Sequence, residues 1–327
     1  MNTRTMGPPA FARPAIAYIR HYRALGLRFK NAEQLLCQLG SYLIERGSPD
    51  LDRPVYESWR QSRTCIHPNT RRVTEQIIRR FCLYRRRSEP TSFVPSADNL
   101  TPLKPYVRPV IIEPQQILRM MQVAAQLQSL HKSPLRRDAA RVAIILLYTA
   151  GLRSGELLRL QVEDVEADGA ILQIRESKFH KSRLVPLSES AQEEVREYLR
   201  QRAAFAGKAA HRGPFLCHHR GGTLHPYSVP GFRGFLCELF RRAEVCDRDG
   251  RIPRVHDMRH SFAIQSLIQS YRAHGDPQAL LPKLSLYMGH VCIGSTMHYL
   301  RLVPALAALA SARFDAAFGQ RVLGEQP

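Results

Sequence analysis

The chain has 327 residues, 44% of them hydrophobic, and a formal net charge of +20. The apolar share is enough to build cores and excludes a disordered chain, and the length predicts two domains of roughly 150 residues each. A protein with a pI of about 10.2 repels itself unless it meets a polyanion, so nucleic acid is the leading partner and an anionic membrane surface the second.

Residues 1–13 read as a flexible arm. A short helix is expected from about Pro14 to Leu25, stopped by Gly26. In the next, Leu35, Leu36, Leu39, Tyr42 and Leu43 fall on one face at helical spacing, and Gly47 ends it. A short helix after Pro54 should bury Trp59. Another is expected from about Thr70 to Arg86, with Val73, Ile77, Phe81 and Tyr84 inward and Arg71, Arg72, Arg79 and Arg80 on the opposite face. Residues 1–90 hold 17 Lys/Arg against 7 Asp/Glu, half the net charge of the chain in little more than a quarter of its length. Nearly all of that excess is arginine, whose fork fits phosphate oxygens. Residues 1–88 thus read as a small helical domain that binds nucleic acid, with Arg71 and Arg72 as candidate contacts. The bland alternative is solvated surface charge.

Prolines 90, 95, 102, 105 and 109 mark residues 89–109 as an extended linker. The second domain is expected over 110–318, with 319–327 as a tail. Pro114 suits the first turn of a helix to about Leu130. A helix from about Arg136 to Thr149 is apolar nearly all round, which predicts a central, buried position. Two strand-like runs, Ala170–Arg175 and Arg183–Leu187, flank a polar turn with Lys178, His180 and Lys181 and read as a hairpin. The remainder to Phe318 reads as mainly helical, with His218-His219 in a loop. The fold class is therefore mainly α with a small antiparallel β-sheet.

No apolar stretch reaches the ~20 residues that cross a bilayer. The opening residues lack the apolar core of a secretory signal. The seven cysteines form no Cys-x-x-Cys pair, which points to reduced thiols rather than zinc or disulfides. These features predict a cytoplasmic, nucleoid-associated protein with no membrane partner.

Several residues carry chemistry. Arg153 follows a glycine turn; His256-Asp257-Met258-Arg259-His260 opens a helix after Pro253; Met288-Gly289-His290 ends another; Tyr299 lies nine residues on. Singly, each has a plain structural explanation. His256 and His260, four apart on one helix face, could ligate zinc, but Asp257 stands where a metalloprotease signature needs glutamate. Tyr287 and Tyr271 compete with Tyr299 as nucleophile, although packing suits Tyr287 better. Together, two arginines, several histidines, a hairpin lysine and a late tyrosine, without clustered carboxylates for Mg²⁺, suit metal-free attack on a phosphodiester.

The order and spacing of these residues resemble the tyrosine recombinase (phage integrase-like) family over about residues 108–312, and more faintly over 11–88. Thr149-Ala150-Gly151-Leu152-Arg153-Ser154-Gly155-Glu156-Leu157 looks like the family's first box. Ser177-Lys178-Phe179-His180-Lys181-Ser182-Arg183-Leu184-Val185-Pro186 looks like its hairpin, and His256 to His260 like its His-x-x-Arg box. Met288-Gly289-His290 with Tyr299 looks like the nucleophile region. The resemblance implies an N-terminal core-binding domain, a C-terminal mixed α/β catalytic domain, and Arg153, Lys178, His256, Arg259, His290 and Tyr299 as catalytic residues. Glu156 and His260 would support them, and Lys181 would join Arg71 and Arg72 in touching DNA. It also implies double-stranded DNA as partner, neither metal nor other cofactor, and a homo- or hetero-tetramer on DNA in which the amphipathic segment after Pro304 docks. The interval from Arg259 to His290 contains an extra-looking segment, Tyr271 to Pro282, more like recombinases carried by mobile elements than chromosome-dimer resolvers. Two rivals are a type IB topoisomerase-like enzyme and a DNA-binding accessory factor without turnover.

Overall fold

The computed structural model describes residues 6–128, 134–175, 182–206, 211–220, 223–273, 277–290, 294–297 and 311. The chain divides into two compact units, 1–107 and 108–327.

The first unit packs four helices, α1 (Pro9–Ala24), α2 (Lys30–Glu45), α3 (Arg53–Gln61) and α4 (Pro68–Arg85). Prolines in the first turns of α1, α3 and α4 sit where no N–H is needed. Asp52 caps α3 by accepting the Val55 N–H at 2.8 Å. Phe11, Tyr18, Leu36, Leu39, Leu43, Trp59, Ile78 and Phe81 are buried together. Helix α1 starts earlier than expected and carries Pro14 inside it, because Phe11 anchors its first turn edge-on to Phe81 at 5.4 Å.

Two expectations for this unit are corrected. Val73, expected inward, is 52% exposed. The inward face of α4 is turned toward Glu75, Ile78 and Phe81, because a buried carboxylate has partners there. Glu75 accepts the Thr101 N–H and the Thr101 hydroxyl at 2.7 Å each, and Arg60 Nε at 3.0 Å. The proline-rich segment is accordingly bound over much of its length. Phe93 and Val94 pack on the core, and Arg60 also donates to the Asn99 carbonyl at 2.7 Å.

The second unit contains α5 (Pro114–Ala125), α6 (Arg136–Thr149), α7 (Ser154–Arg159), β1 (Val165–Glu166), β2 (Ile171–Ile174), β3 (Arg183–Pro186), α8 (Glu189–Ala206), β4 (Cys217–Arg220), β5 (Thr223–Pro226), α9 (Val229–Arg242), α10 (Val255–Arg272), α11 (Pro277–Met288) and α12 (Gly294–Met297). Helix α6 is central: Ala139, Ala140, Val142, Ala143, Ile144 and Leu146 are fully buried. Strands β1, β2 and β3 form one antiparallel sheet in that order, with Leu172 opposite Val185 and Ile174 opposite Arg183. The register places Arg183, the first residue of β3, opposite Ile174, the last residue of β2.

A second antiparallel hairpin, β4–β5, is not expected from the sequence. His218-His219, expected in a loop, lie on β4, and the ring of His218 stacks on His225 of β5 at 5.7 Å. These strands are short and polar, so apolar alternation does not betray them. Helix α5 also ends sooner than expected, at Ala125.

Replacing Glu75 with alanine leaves the buried Thr101 amide and hydroxyl without their acceptor, while Arg60 keeps Glu57 and the Asn99 carbonyl. A loss of about 3 kcal/mol is expected in urea titration of the whole chain, together with new protease cleavage within residues 93–101.

Candidate active site

Helix α6 runs out at Ala150, and Gly151 reverses the chain with φ +59°. A side chain there would be strained, and its Cβ would lie 2.4 Å from the Phe262 ring. This turn sets Arg153 at the N-terminus of α7 and Glu156 in its first turn. Glu156 is 3% exposed. Its carboxylate accepts the Arg153 N–H at 3.0 Å and Arg153 Nη1 at 2.6 Å. It also accepts both terminal nitrogens of Arg183 at 3.0 Å each. Burial alone would raise its pKa; the bonds and charges of Arg183 and Arg153 overcome burial and bring it down to about 2.

Helix α10 opens with Asp257 accepting the Arg254 N–H at 3.0 Å and the Val110 N–H at 3.3 Å. This buried cap fixes the first turns, which carry His256, Arg259 and His260. Arg259 is 1% exposed and donates through Nη1 to the Gly151 carbonyl and through Nη2 to the Met288 carbonyl. The His256 and His260 rings meet edge-on at 4.7 Å.

Helix α11 ends in a Schellman turn. Gly289 takes φ +67°, its N–H bonds the Leu286 carbonyl at 2.9 Å, and the His290 N–H bonds the Ser285 carbonyl at 2.9 Å. The three carbonyls that follow are each taken by an arginine. Tyr287 accepts from Arg183 Nε at 2.8 Å, Met288 from Arg259, and Gly289 from Arg153 Nη2 at 3.1 Å. His290 leaves this turn directly beside the arginines.

The electrostatics follow from that placement. Burial, then the charges of Arg259 and Arg153, lowers the His290 pKa to about 4. The same influences lower His256. Burial and the neighbouring His256 bring His260 to about 4. At neutral pH the imidazoles are uncharged while the guanidiniums stay protonated. Two buried carboxylates, Glu156 and Asp257, against the guanidiniums of Arg153, Arg183, Arg254 and Arg259 leave a positive, partly desolvated site suited to an anion, lined by neutral histidines. Among the described residues no group of three His, Cys, Asp or Glu side chains is arranged to hold a metal ion.

The profile of the phage integrase family matches residues 111–305. The integrase/recombinase y4rB of Sinorhizobium fredii is 31% identical over 300 residues, covering 91% of this chain and 95% of the relative. The chain belongs to the phage integrase family of tyrosine recombinases. Tyrosine recombinase XerD of Caulobacter vibrioides is 32% identical over 195 residues, 58% of this chain and 57% of XerD. The fold matches the Tn1549 transposon integrase solved with transposon right-end DNA, with TM-score 0.60, 15% identity, and coverage of 93% of this chain and 99% of that one. It also matches the XerH recombinase bound to its difH substrate, with TM-score 0.59, 16% identity, and coverage of 88% and 78%. As a tyrosine recombinase, the protein is an enzyme that cuts and rejoins DNA.

Within this recombinase the structure brings Arg153, His256, Arg259 and His290 together, with Glu156 and His260 packed against them. Lys178, Lys181 and Tyr299 lie outside the described residues. Tyr287, weighed as a rival nucleophile, has its ring against Phe262 at 5.6 Å and its hydroxyl donating to the Pro186 carbonyl at 3.1 Å. Burial raises its pKa to about 12, so it is a packing tyrosine. Tyr271 packs on the apolar cluster between α10 and α11. Arg71 and Arg72 lie half-exposed on α4, and Arg72 donates to the Thr101 carbonyl at 3.0 Å. The residue that the sequence reading passed over is Arg183. Its only signal is position, as the first residue of the strand after the hairpin tip.

The Glu156 carboxyl has a folded pKa of about 2, below its ordinary 4.5. Its ionised form therefore stabilises the fold above about pH 4.5, and that contribution is lost as pH falls toward 2. Glu156→Gln is expected to lower the urea midpoint at pH 7 and to flatten the decline in stability between about pH 5 and pH 2, measured by urea titration across that range.

Proposed function

We propose that this enzyme is a site-specific recombinase in which Tyr299 attacks a scissile phosphate of double-stranded DNA. The Tyr299 oxygen–phosphorus bond forms and the phosphorus–O5′ bond breaks, leaving a 3′-phosphotyrosyl link and a 5′-hydroxyl. Arg153 and Arg259 hold the non-bridging oxygens, whose charge grows toward the pentacoordinate transition state. His256 and His290 donate hydrogen bonds to the phosphorane, and His256 takes the phenol proton, which a group of pKa ~10 does not release readily at neutral pH. Lys178 protonates the leaving 5′-oxygen. A 5′-hydroxyl from another duplex reverses the sequence. The link retains the energy of the phosphodiester, so ATP is not consumed, and the guanidiniums supply the charge that a metal supplies elsewhere.

The observation that carries this reading is the convergence of Arg153, Arg259, His256 and His290 on the end of α11, the segment that leads to Tyr299. Arg153 is 23% exposed and spends two of its five N–H groups on Glu156 and Gly289, which leaves donors for phosphate. A protein that only binds DNA has no use for this set, which disfavours the accessory-factor reading. The first unit acts as a core-binding domain, the second is catalytic, and recombination proceeds in a homo- or hetero-tetramer on DNA. The long interval between Arg259 and His290 supports service to a mobile element in integration, excision or transposition. Such a protein works in the cytoplasm on the nucleoid.

On a nicked suicide duplex from the ends of the element, the wild-type enzyme is expected to form a covalent adduct resolved by denaturing gel. Tyr299→Phe should abolish the adduct and keep DNA affinity. Undiminished capture by the phenylalanine variant sinks the assignment. Because phosphate contacts release counterions, affinity should fall steeply with salt. Removing Arg71 and Arg72 together should lower the slope of log K against log salt by about 2, measured by fluorescence anisotropy.

A further inference from the structure

Arg183 takes no part in the chemistry proposed above, yet it is among the most constrained side chains of the site. It is 10% exposed. Nη1 and Nη2 bond the two oxygens of Glu156, and Nε bonds the Tyr287 carbonyl. A guanidinium is planar, so three fixed acceptors determine its orientation. Gly289 lies close against that plane, since a Cβ there would fall 3.0 Å from Nη1 and 3.2 Å from Cδ and Cζ of Arg183.

The end of α11 depends on cations from elsewhere. Its last turn, Ser285-Leu286-Tyr287-Met288, has no basic residue of its own, although terminal carbonyls favour positive charge. Three successive carbonyls instead receive arginines from β3, α10 and the start of α7. A rotation or slip of α11 by one residue breaks all three bonds and moves His290. Arg183 joins this turn to both oxygens of Glu156 through one planar group, and Glu156 is the carboxylate that also orients Arg153.

We infer that Arg183 is a positioning residue: it fixes the rotation and height of the α11 terminus relative to the Arg153–Glu156 pair, and so sets where His290 stands against the phosphate. This rests on the function proposed above. Arg183 does not contact the reacting atoms, because the bonds that orient it all face Glu156 and α11. A purely structural ion pair would change stability and leave the rate of the folded enzyme alone.

The test uses the full chain on nicked suicide duplexes carrying either the ordinary 5′-oxygen or a 5′-bridging sulfur, whose thiolate leaves without protonation. Arg183→Gln should slow single-turnover covalent capture about 100-fold on both duplexes, with DNA affinity within about threefold of wild type. Lack of rescue by sulfur places the defect on the α11 side and not on leaving-group protonation. Arg183→Lys keeps the charge but not the planar fork; it should show the same loss and serves if the glutamine variant does not fold. The double variant with Glu156→Gln should be no slower than the worse single by more than about threefold, since both changes break one link.

Wild-type capture rates in the Gln and Lys variants overturn the inference. So does a loss that tracks only the unfolded fraction by circular dichroism, a loss that sulfur restores, a fall in DNA affinity with capture unchanged, or multiplying effects in the double variant. If the wild type forms no adduct, or Tyr299→Phe still forms one, the reading of the site itself falls. A wild type that captures DNA beside an unimpaired Arg183→Gln removes only the role of Arg183.

Discussion

The buried carboxylate of Glu156 is the constraint around which the second unit is arranged. An ionised carboxyl removed from water is costly unless its lone pairs are filled by charged or backbone donors. Here four N–H groups fill them, from the Arg153 backbone, the Arg153 side chain and the two ends of Arg183. Meeting that demand brings the turn after α6, the first turn of α7 and the start of β3 to one point. The same two arginines then reach the Tyr287 and Gly289 carbonyls, and Arg259 closes the gap by spanning Gly151 and Met288. Four elements far apart in the chain are held by charge-assisted hydrogen bonds, and the glycines at 151 and 289 are needed where the backbone must turn tightly among them.

The chemistry follows from what this network leaves over. Carbonyl oxygens carry partial charge, enough to orient a guanidinium but not to neutralise it. The arginines are therefore set in place before a ligand arrives, and the positive charge remains for an anion to meet. Preorganised donors of this kind stabilise developing charge without having to reorient during the reaction. The surrounding histidines are kept neutral by burial and by the arginine field. An incoming phosphate would offset that field, so the protonation of the imidazoles and the binding of the anion are linked by the same charges.

The first unit uses arginine in two ways that composition cannot separate. Arg85 is 8% exposed and holds Asp50 through both terminal nitrogens at 2.6 Å each. Arg60 holds Glu75 and the Asn99 carbonyl. These arginines are structural struts whose charge is met inside the unit. The field available to a polyanion comes from the others, so the charge excess read from the sequence is a sum over two populations. Glu75 does for α4 and residues 93–101 what Glu156 does for the second unit, on a smaller scale.

Much of this protein can be read from local pattern. The 3.6-residue spacing of leucines in α2, the continuous apolar surface of α6 and the prolines that open helices each reflect forces acting within a few residues. The boxes around Arg153, His256 and His290 are equally local, and their order along the chain was enough to name the family. What only the tertiary structure decided are the pairings between them. Arg183 meets Glu156 across 27 positions and Tyr287 across 104, and Thr101 meets Glu75 across 26. Such contacts have no periodicity. A buried charge must find its partner wherever the folded chain places one, and that place is set by the packing of whole elements rather than by the residues beside it.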